Sequence, residues 1–289
     1  MAKKYLFNSL KSQEFLRIRL DVNLVVASLL VLTFSGCGPP VVEITPATAD
    51  ADRLLFDRAE TAMTEENWSR AREYFVQIRD NYPQSLLRAD ARLGVIDTNI
   101  NEGTMGSYLA ALSELQEFLR LYPSHPLSAQ AQHRVGVVYF RQMRGPSRDQ
   151  TETRQAIQEF ERFIELSVSN SDFATGVTEE LLSEVRTNLR EARDRLSEAS
   201  FIVGRFYYRN EYFPGAIDRF WEILDDDPGY TRRDQVYFYL AGALASVNNV
   251  EEALPMFERL INEYPETEFL EEATEQIEQL KKTVPTDDR

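Results

Sequence analysis

Cys37 is the single thiol of a 289-residue chain, and it follows Ser35 and Gly36 at the end of an apolar run. A lone thiol can act as a nucleophile, join histidines or carboxylates around a metal, or accept a covalent group, but it cannot close an internal disulfide. The two histidines, His125 and His133, stand eight residues apart with Pro126 between them, a poor ligand set for a shared metal. His125 reads as ordering the loop after Pro123. Asp225-Asp-Asp227 lacks the spaced oxygens and closing glutamate of a calcium loop and reads as a solvated turn. No HExxH, GxSxG, GxGxxG or phosphate-loop pattern occurs, so neither an enzymatic activity nor a metal nor a dissociable cofactor is expected.

What the residues do offer is recognition. The stretch Arg205-Phe-Tyr-Tyr-Arg-Asn-Glu-Tyr-Phe-Pro-Gly-Ala-Ile-Asp-Arg-Phe-Trp221 crowds aromatics and arginines together. Phe206, Phe213 and Phe220 are expected in a core, whereas Arg209, Arg219 and the tyrosines are the types that dominate protein interfaces. A second candidate region pairs Arg120-Leu-Tyr-Pro-Ser-His-Pro126 with Asp80-Asn-Tyr-Pro-Gln84. There Tyr82, Tyr122 and His125 could flank a groove for an extended peptide, although service in a turn is the alternative for each.

The N-terminus has its own logic. Lys3, Lys4, Lys11, Arg17 and Arg19 precede an apolar run over residues 22–34, then small residues and Cys37. A charged start, a short apolar stretch and small residues before a cleavage point describe a secretory signal over residues 1–36. The run is too short for a lasting membrane span. Residues 37–50, including Gly38-Pro-Pro-Val-Val-Glu-Ile-Thr-Pro-Ala-Thr48, read as an extended tether. Ser35-Gly36-Cys37 resembles the lipobox of bacterial lipoproteins, which implies that Cys37 is acylated and becomes the first residue after cleavage. Two acyl chains at ~0.8 kcal/mol per buried methylene would make such attachment effectively permanent. A buried thiol, or an incidental residue within a transmembrane anchor, stays open on the residues alone. Without the leader, 27 Lys+Arg face 45 Asp+Glu, a net charge of −18, which argues against nucleic acid and anionic lipid and leaves proteins as ligands.

The elements that must position these residues repeat. Ala71/Phe75/Pro83, Ala111/Leu115/Pro123, Ala216/Phe220/Pro228 and Ala253/Phe257/Pro265 each place a large apolar residue four positions, and a proline twelve positions, after an alanine. The first two residues share a helix face and the proline ends the helix. Ala59, Gly204 and Ala241 lie twelve residues ahead of three of these alanines, on a paired helix. A third unit carries Gly136, Tyr139, Ala156 and Phe160, with an insertion at Gly145-Pro-Ser-Arg-Asp-Gln-Thr151 and Val168 where the proline would stand. The second unit, from Gly94 to Ala111, holds five extra residues around Asn101-Glu-Gly-Thr-Met-Gly106. This pattern resembles the tetratricopeptide repeat. It predicts an all-α solenoid of five helix-turn-helix units over 51–283, at about 51–84, 85–124, 127–168, 178–229 and 232–266, then a helix over 268–282 and a tail over 284–289. An ordinary helical bundle is the alternative.

Lipobox, tether and five units together resemble the BamD family of lipoproteins in the bacterial outer-membrane barrel assembly machine. The most specific points are Tyr122-Pro-Ser-His-Pro126, Arg148-Asp-Gln-Thr151 followed by Ala156-Ile-Gln-Glu-Phe160, and Tyr207-Tyr with Arg219. The resemblance implies a non-enzymatic scaffold, lipid-anchored through Cys37 to the periplasmic face of the outer membrane of a Gram-negative bacterium. It implies a POTRA domain of BamA, other Bam lipoproteins and unfolded barrel proteins as partners. Arg219 matches the arginine by which the family grips an acidic POTRA residue; a second basic position falls on Asn210, with Arg209 adjacent and Tyr212 close by. The N-terminal units, with Tyr82, Tyr122 and His125, would receive the C-terminal signal of the barrel protein. Rival readings are a periplasmic repeat protein of the Tol-Pal or cell-division systems and a regulator of cell-wall hydrolases.

Overall fold

The computed structural model describes residues 50–283. Cys37, the leader, the tether and the tail beyond 283 lie outside the described residues. The chain divides after Ala51, and the unit that starts at Asp52 is the one described below.

Twelve helices, and no strand, occur among the described residues: α1 (Ala51–Thr64), α2 (Trp68–Asn81), α3 (Arg88–Glu102), α4 (Met105–Leu121), α5 (Leu127–Gln142), α6 (Thr151–Ser169), α7 (Ser171–Ala174), α8 (Glu179–Arg209), α9 (Phe213–Asp226), α10 (Arg233–Ser246), α11 (Val250–Glu263) and α12 (Leu270–Thr283). From α2 onwards, main packing partners are neighbours in sequence, save that α6 packs on α8 across the single turn α7, and weaker contacts link α3 to α5, α5 to α8 and α8 to α10. First helices therefore line up behind one another along a stack of hairpins, the solenoid-like arrangement predicted from the repeat and not a closed bundle.

The repeated residues are where that stack is sealed. Ala71, Ala111, Ala156, Ala216 and Ala253 are buried, as are Phe75, Leu115, Phe160, Phe220 and Phe257. Each large side chain contributes roughly 1.5–3 kcal/mol by leaving water. The small residues on the facing helix set the spacing. A Cβ at Gly136 would lie 2.4 Å from the Phe160 ring, and one at Gly204 would lie 2.7 Å from Phe220. Gly94 differs: its close neighbour is Phe75 of the preceding unit, at 2.6 Å. The second unit has Leu115 where the others have phenylalanine, so the bulky ring that uses this notch comes from the unit before.

Both kinds of turn also recur in register. Inside the hairpins of the first, fourth and fifth units, Glu66, Glu211 and Asn248 take left-handed backbone, φ 56°, 59° and 59°, each five residues before the repeat alanine. The next N–H of each closes a long-range cap: Asn67 to the Ala62 carbonyl, Tyr212 to Tyr207, Asn249 to Leu244. Between units, Pro83, Pro123, Pro228 and Pro265 lie two residues beyond the ends of α2, α4, α9 and α11. The residue before each proline donates its N–H back into the helix, as Tyr82 does to Ile78 at 3.1 Å and Tyr122 to Phe118 at 2.8 Å.

Insertions replace these turns where the register breaks. In the second unit Gly103 is left-handed and Thr104 forms a capping box with Ser107 at the start of α4. In the third, Gln150 is buried inside its loop, with Nε2 donating to the carbonyls of Gly145 at 2.9 Å and Arg148 at 3.0 Å, and Oε1 accepting from Thr153 at 2.8 Å. Without a proline near Val168, α6 runs on to Ser169, and Asn170 then caps the single turn α7. Helix α8 serves two units. Val185, Leu189 and Ala192 complete the core around Phe160 and Phe163, whereas Phe201 belongs to the core of Phe220 and Leu240.

Candidate functional site

The aromatic and arginine stretch forms one corner, where α8 ends and α9 begins. Phe201 and Gly204 form the buried side of α8, and Ala216, Phe220 and Ile223 that of α9. The expectation for Phe206 is overturned: it is 61% exposed. Two positions past Gly204 on a helix, it points about 200° away from the core stripe. Its ring centroid lies 6.0 Å from that of Tyr207, which meets Tyr212 edge-on at 5.4 Å. Tyr212 itself is 58% exposed. On α9, Gly215 follows under the Tyr212 ring, and Arg219, one turn further on, pairs with Glu222 at 2.7 Å. Arg219 keeps nearly half its side chain in solvent.

The structure therefore brings Arg209, Asn210, Tyr212 and Arg219 to one corner, in different conditions. Arg209 is exposed in the last turn of α8, where the helix dipole favours a cation, and makes no ion pair among the described residues. The Asn210 side chain is committed to the fold, donating Nδ2–H to the Phe206 carbonyl at 2.7 Å.

Tyr82, Tyr122 and His125 sit in the turns that end the first two units. The Tyr122 ring lies 4.9 Å from Phe118 and 5.9 Å from His125. His125 Nδ1 accepts the Leu127 N–H at 3.1 Å. Ser85 and Thr267, each likewise two residues after a unit-ending proline, accept from the N–H two positions on in the same manner. His125 thus fills a capping position of the repeat, as its loop-ordering reading supposes.

A second concave region escaped sequence reasoning. A cleft of about 400 Å³ lies between α3, α5 and the start of α8. Arg134 grips Asp97 through two hydrogen bonds, 2.6 and 2.8 Å, and Arg141 donates to Asn101 at 3.1 Å. Buried His133 faces Glu184, 3.5 Å from its Nε2, which has no hydrogen-bond partner. Burial pushes the His133 imidazole below the ordinary histidine range, against the pull of Glu184. These groups offer donors and acceptors to a polar chain. They come from positions more than thirty residues apart, so no local motif announces them. Tyr82, Tyr122 and His125 do not line this cleft.

The solvated reading of the triple-aspartate turn holds for Asp225 and Asp226, which are exposed, and is corrected at its last residue. Asp227 is buried and paired with Arg190, because it occupies the place that Tyr82, Tyr122 and Tyr264 take at the ends of other units. Among the described residues, no group of three His, Cys, Asp or Glu side chains could hold a metal ion, and no helix is long and apolar enough to cross a membrane.

Serial hairpins with a sealed small-and-aromatic core define a tetratricopeptide-repeat protein, and residues 235–267 match the tetratricopeptide repeat as such. Residues 48–246 match the family described as outer membrane lipoprotein, YfiO, and the chain belongs to that family. It is 23% identical over 230 residues to the outer membrane protein assembly factor BamD of Caulobacter vibrioides, covering 79% of this chain and 72% of that protein. Among solved structures, the TPR2AB-domain:pHSP90-complex of yeast Sti1 gives a TM-score of 0.37 at 13% identity, over 75% of this chain and 79% of that one. MamA gives 0.32 at 16% identity, over 74% and 92%.

Proposed function

We propose that this chain is a non-enzymatic scaffold of outer-membrane barrel assembly, anchored through a lipid on Cys37 and holding BamA with its fourth unit. The observation that carries this reading is the family match over residues 48–246, which spans the repeats up to the exposed Arg219 corner. An arginine already paired with a neighbouring glutamate can exchange that weak surface partner for a desolvated carboxylate on another protein, a gain in geometry and burial. Arg209 supplies the second cation of the corner, since Asn210 is spent on capping α8.

The N-terminal units receive unfolded barrel proteins, and other Bam lipoproteins complete the assembly. For substrate the favoured surface is the cleft of α3, α5 and α8, whose Asn101, Gln130 and Arg141 suit an extended backbone, over Tyr82, Tyr122 and His125 in their turns. Affinity purification of the lipid-anchored protein from detergent-solubilised membranes tests the whole reading. BamA should co-purify; recovery of Tol-Pal components or a cell-wall hydrolase in its place would transfer the protein to another periplasmic system. Labelling with a clickable fatty acid, lost in Cys37→Ser, tests the anchor.

A further inference from the structure

Of the two histidines only His133 is buried, 7% exposed on α5, and its Nε2 has no hydrogen-bond partner among the described residues. Such a nitrogen costs a fold stability, and water or an ion pair would satisfy it. The charged groups that face the imidazole are Glu184 from α8, Arg134 from α5 itself and Asp97 from α3. Arg134 and Asp97 hold each other at 2.6 and 2.8 Å, so their fields largely cancel. Glu184 is left as the uncommitted carboxylate, 3.5 Å from Nε2 and with 57% of its side chain in solvent. The other helices packed on α5 bring apolar rings: Phe160 from α6, with centroids 6.2 Å apart, Phe118 from α4 and Phe173 from α7.

The wall that covers His133 is lightly held. Val185, Leu189 and Ala192 of α8 are buried in the core around Phe160, whereas Leu181 and Leu182 before them are half-buried and Glu179 and Glu180 are exposed. Thr178 caps the helix through one side-chain bond, from the Leu181 N–H at 3.2 Å. Ahead of it Gly176 lies flush on the turn before α5, where a Cβ would fall 1.7 Å from the Pro126 carbonyl oxygen. Residues 176–184 can therefore lift from α5 without unseating Val185 and the core behind it. A proton decides between the two positions. Burial holds the imidazole below the ordinary histidine range although Glu184 pulls the other way, so the covered state favours the neutral ring. With residues 176–184 lifted, the ring meets water and returns towards its ordinary value of about 6.5. Acid binds preferentially to the lifted state, whose population rises as pH falls through that ordinary value and levels off only below the covered one.

We propose that His133 and Glu184 form a proton-operated latch on the cleft of α3, α5 and α8: at neutral pH the start of α8 lies over His133 as one wall of the cleft, and in acid it lifts and releases a bound polypeptide. The inference rests on the reading of the cleft as the surface for unfolded substrate and adds how that surface lets go. Thr178, Leu181 and Glu184 supply the moving wall, with Asn101, Gln130 and Arg141 on the side of α3 and α5. A chain held between the two loses one side of its contacts when the wall withdraws.

The test measures hydrogen exchange of the full-length protein in detergent, corrected for intrinsic rates, at about pH 7.5 and about pH 5.5, on either side of histidine titration. In wild type the amides of residues 176–184 should lose protection at the lower pH while those around Phe118 and Phe220 keep theirs. His133→Leu, which fills the same space with an apolar group, should stay protected at both. Glu184→Gln removes the attraction that opposes burial, so the His133 ring should titrate at a lower pH in a histidine-labelled spectrum, where His125→Asn assigns the other signal. Protection independent of pH in wild type, a loss that persists in His133→Leu, or a loss spread over all five units overturns the latch. A gain of protection in acid overturns it too, by showing that the imidazolium captures Glu184. Binding of a urea-unfolded outer-membrane barrel protein, diluted into the same buffers, separates the latch from the reading beneath it. From neutral pH to acid, wild type should lose several-fold more affinity than His133→Leu; an equal loss in both overturns the release. If wild type binds no barrel protein at neutral pH while exchange responds as stated, the substrate reading of the cleft falls and the movement of α8 stands.

Discussion

Arg190 of α8 and Asp227, the residue that ends α9, meet as a two-point ion pair: Nη1 donates to Oδ1 at 2.9 Å and Nη2 to Oδ2. Ser197 donates to the same Oδ2 at 2.8 Å. A Cβ at Gly229 would come within 2.8 Å of Arg190 Nη1, so glycine keeps the turn close over the guanidinium. The pair ties the end of the fourth unit to the half of α8 that completes the third. Two adjacent units are thus fixed relative to each other by a polar joint, in addition to their apolar seam.

Asp227→Asn should therefore destabilise the fold by about 1.5–3 kcal/mol, since it takes from the half-buried Arg190 guanidinium one of its two carboxylates and leaves only Asp194, at 2.9 Å. Burial alone would raise the Asp227 carboxyl, but hydrogen bonds from Arg190 and Ser197 prevail and hold it below the ordinary range. A lowered folded value means that its stabilisation is complete above the unfolded carboxylate value of about 3.9 and is lost as pH falls through the folded one. Urea denaturation at stepped pH should show wild type losing stability below about pH 4 more steeply than Asp227→Asn. Parallel slopes would remove Asp227 from the acid response.

Glu66→Gly should stabilise. A non-glycine residue in left-handed backbone carries a cost of about 1–2 kcal/mol, part of which glycine returns to the unfolded state as extra freedom. The Glu66 side chain, at φ 56°, makes no hydrogen bond or ion pair among the described residues that the substitution would break. A gain of about 0.5–1 kcal/mol in urea unfolding is expected. The reverse change at Gly103, φ 70°, to Ala should cost a similar amount.

Gln150→Ala should cost about 2–3 kcal/mol, because three hydrogen bonds inside the loop are lost together and the carbonyls of Gly145 and Arg148 lose their donor. Limited proteolysis should then cut between α5 and α6, where wild type resists. Unchanged proteolysis would mean that the loop is held by something other than this amide.

Arg219→Glu should weaken co-purification with BamA and leave circular dichroism unchanged. The new glutamate faces Glu222 at i+3, so the local repulsion is confined to an exposed helix face. At a close, desolvated interface the loss would fall between ~1.5 and ~7 kcal/mol. Undiminished co-purification would remove Arg219 from the contact.

Much of the architecture was legible along the chain because a helical repeat writes itself at short range. Ala71 and Phe75 share a face through the pitch of one helix, and Pro83 ends that helix wherever it lies. The buried phenylalanines and alanines, the stops before each proline, the insertions after α3 and α5 and the capping place of His125 all follow from spacings of a few residues.

Other features depend on residues that no local pattern joins. Phe206 has the composition of a core residue, and the seating of α9 on the Gly204 side of α8 leaves its ring outside. Asp227 looks like a surface acid until Arg190, thirty-seven residues earlier, is brought against it. Gly94 accepts a ring from the preceding unit, and the His133 cleft exists only because α3, α5 and α8 stand side by side. Periodicity fixes which face of a helix is apolar, whereas the stacking of one hairpin on the next decides which polar and aromatic side chains are paired, buried or left free to meet another protein.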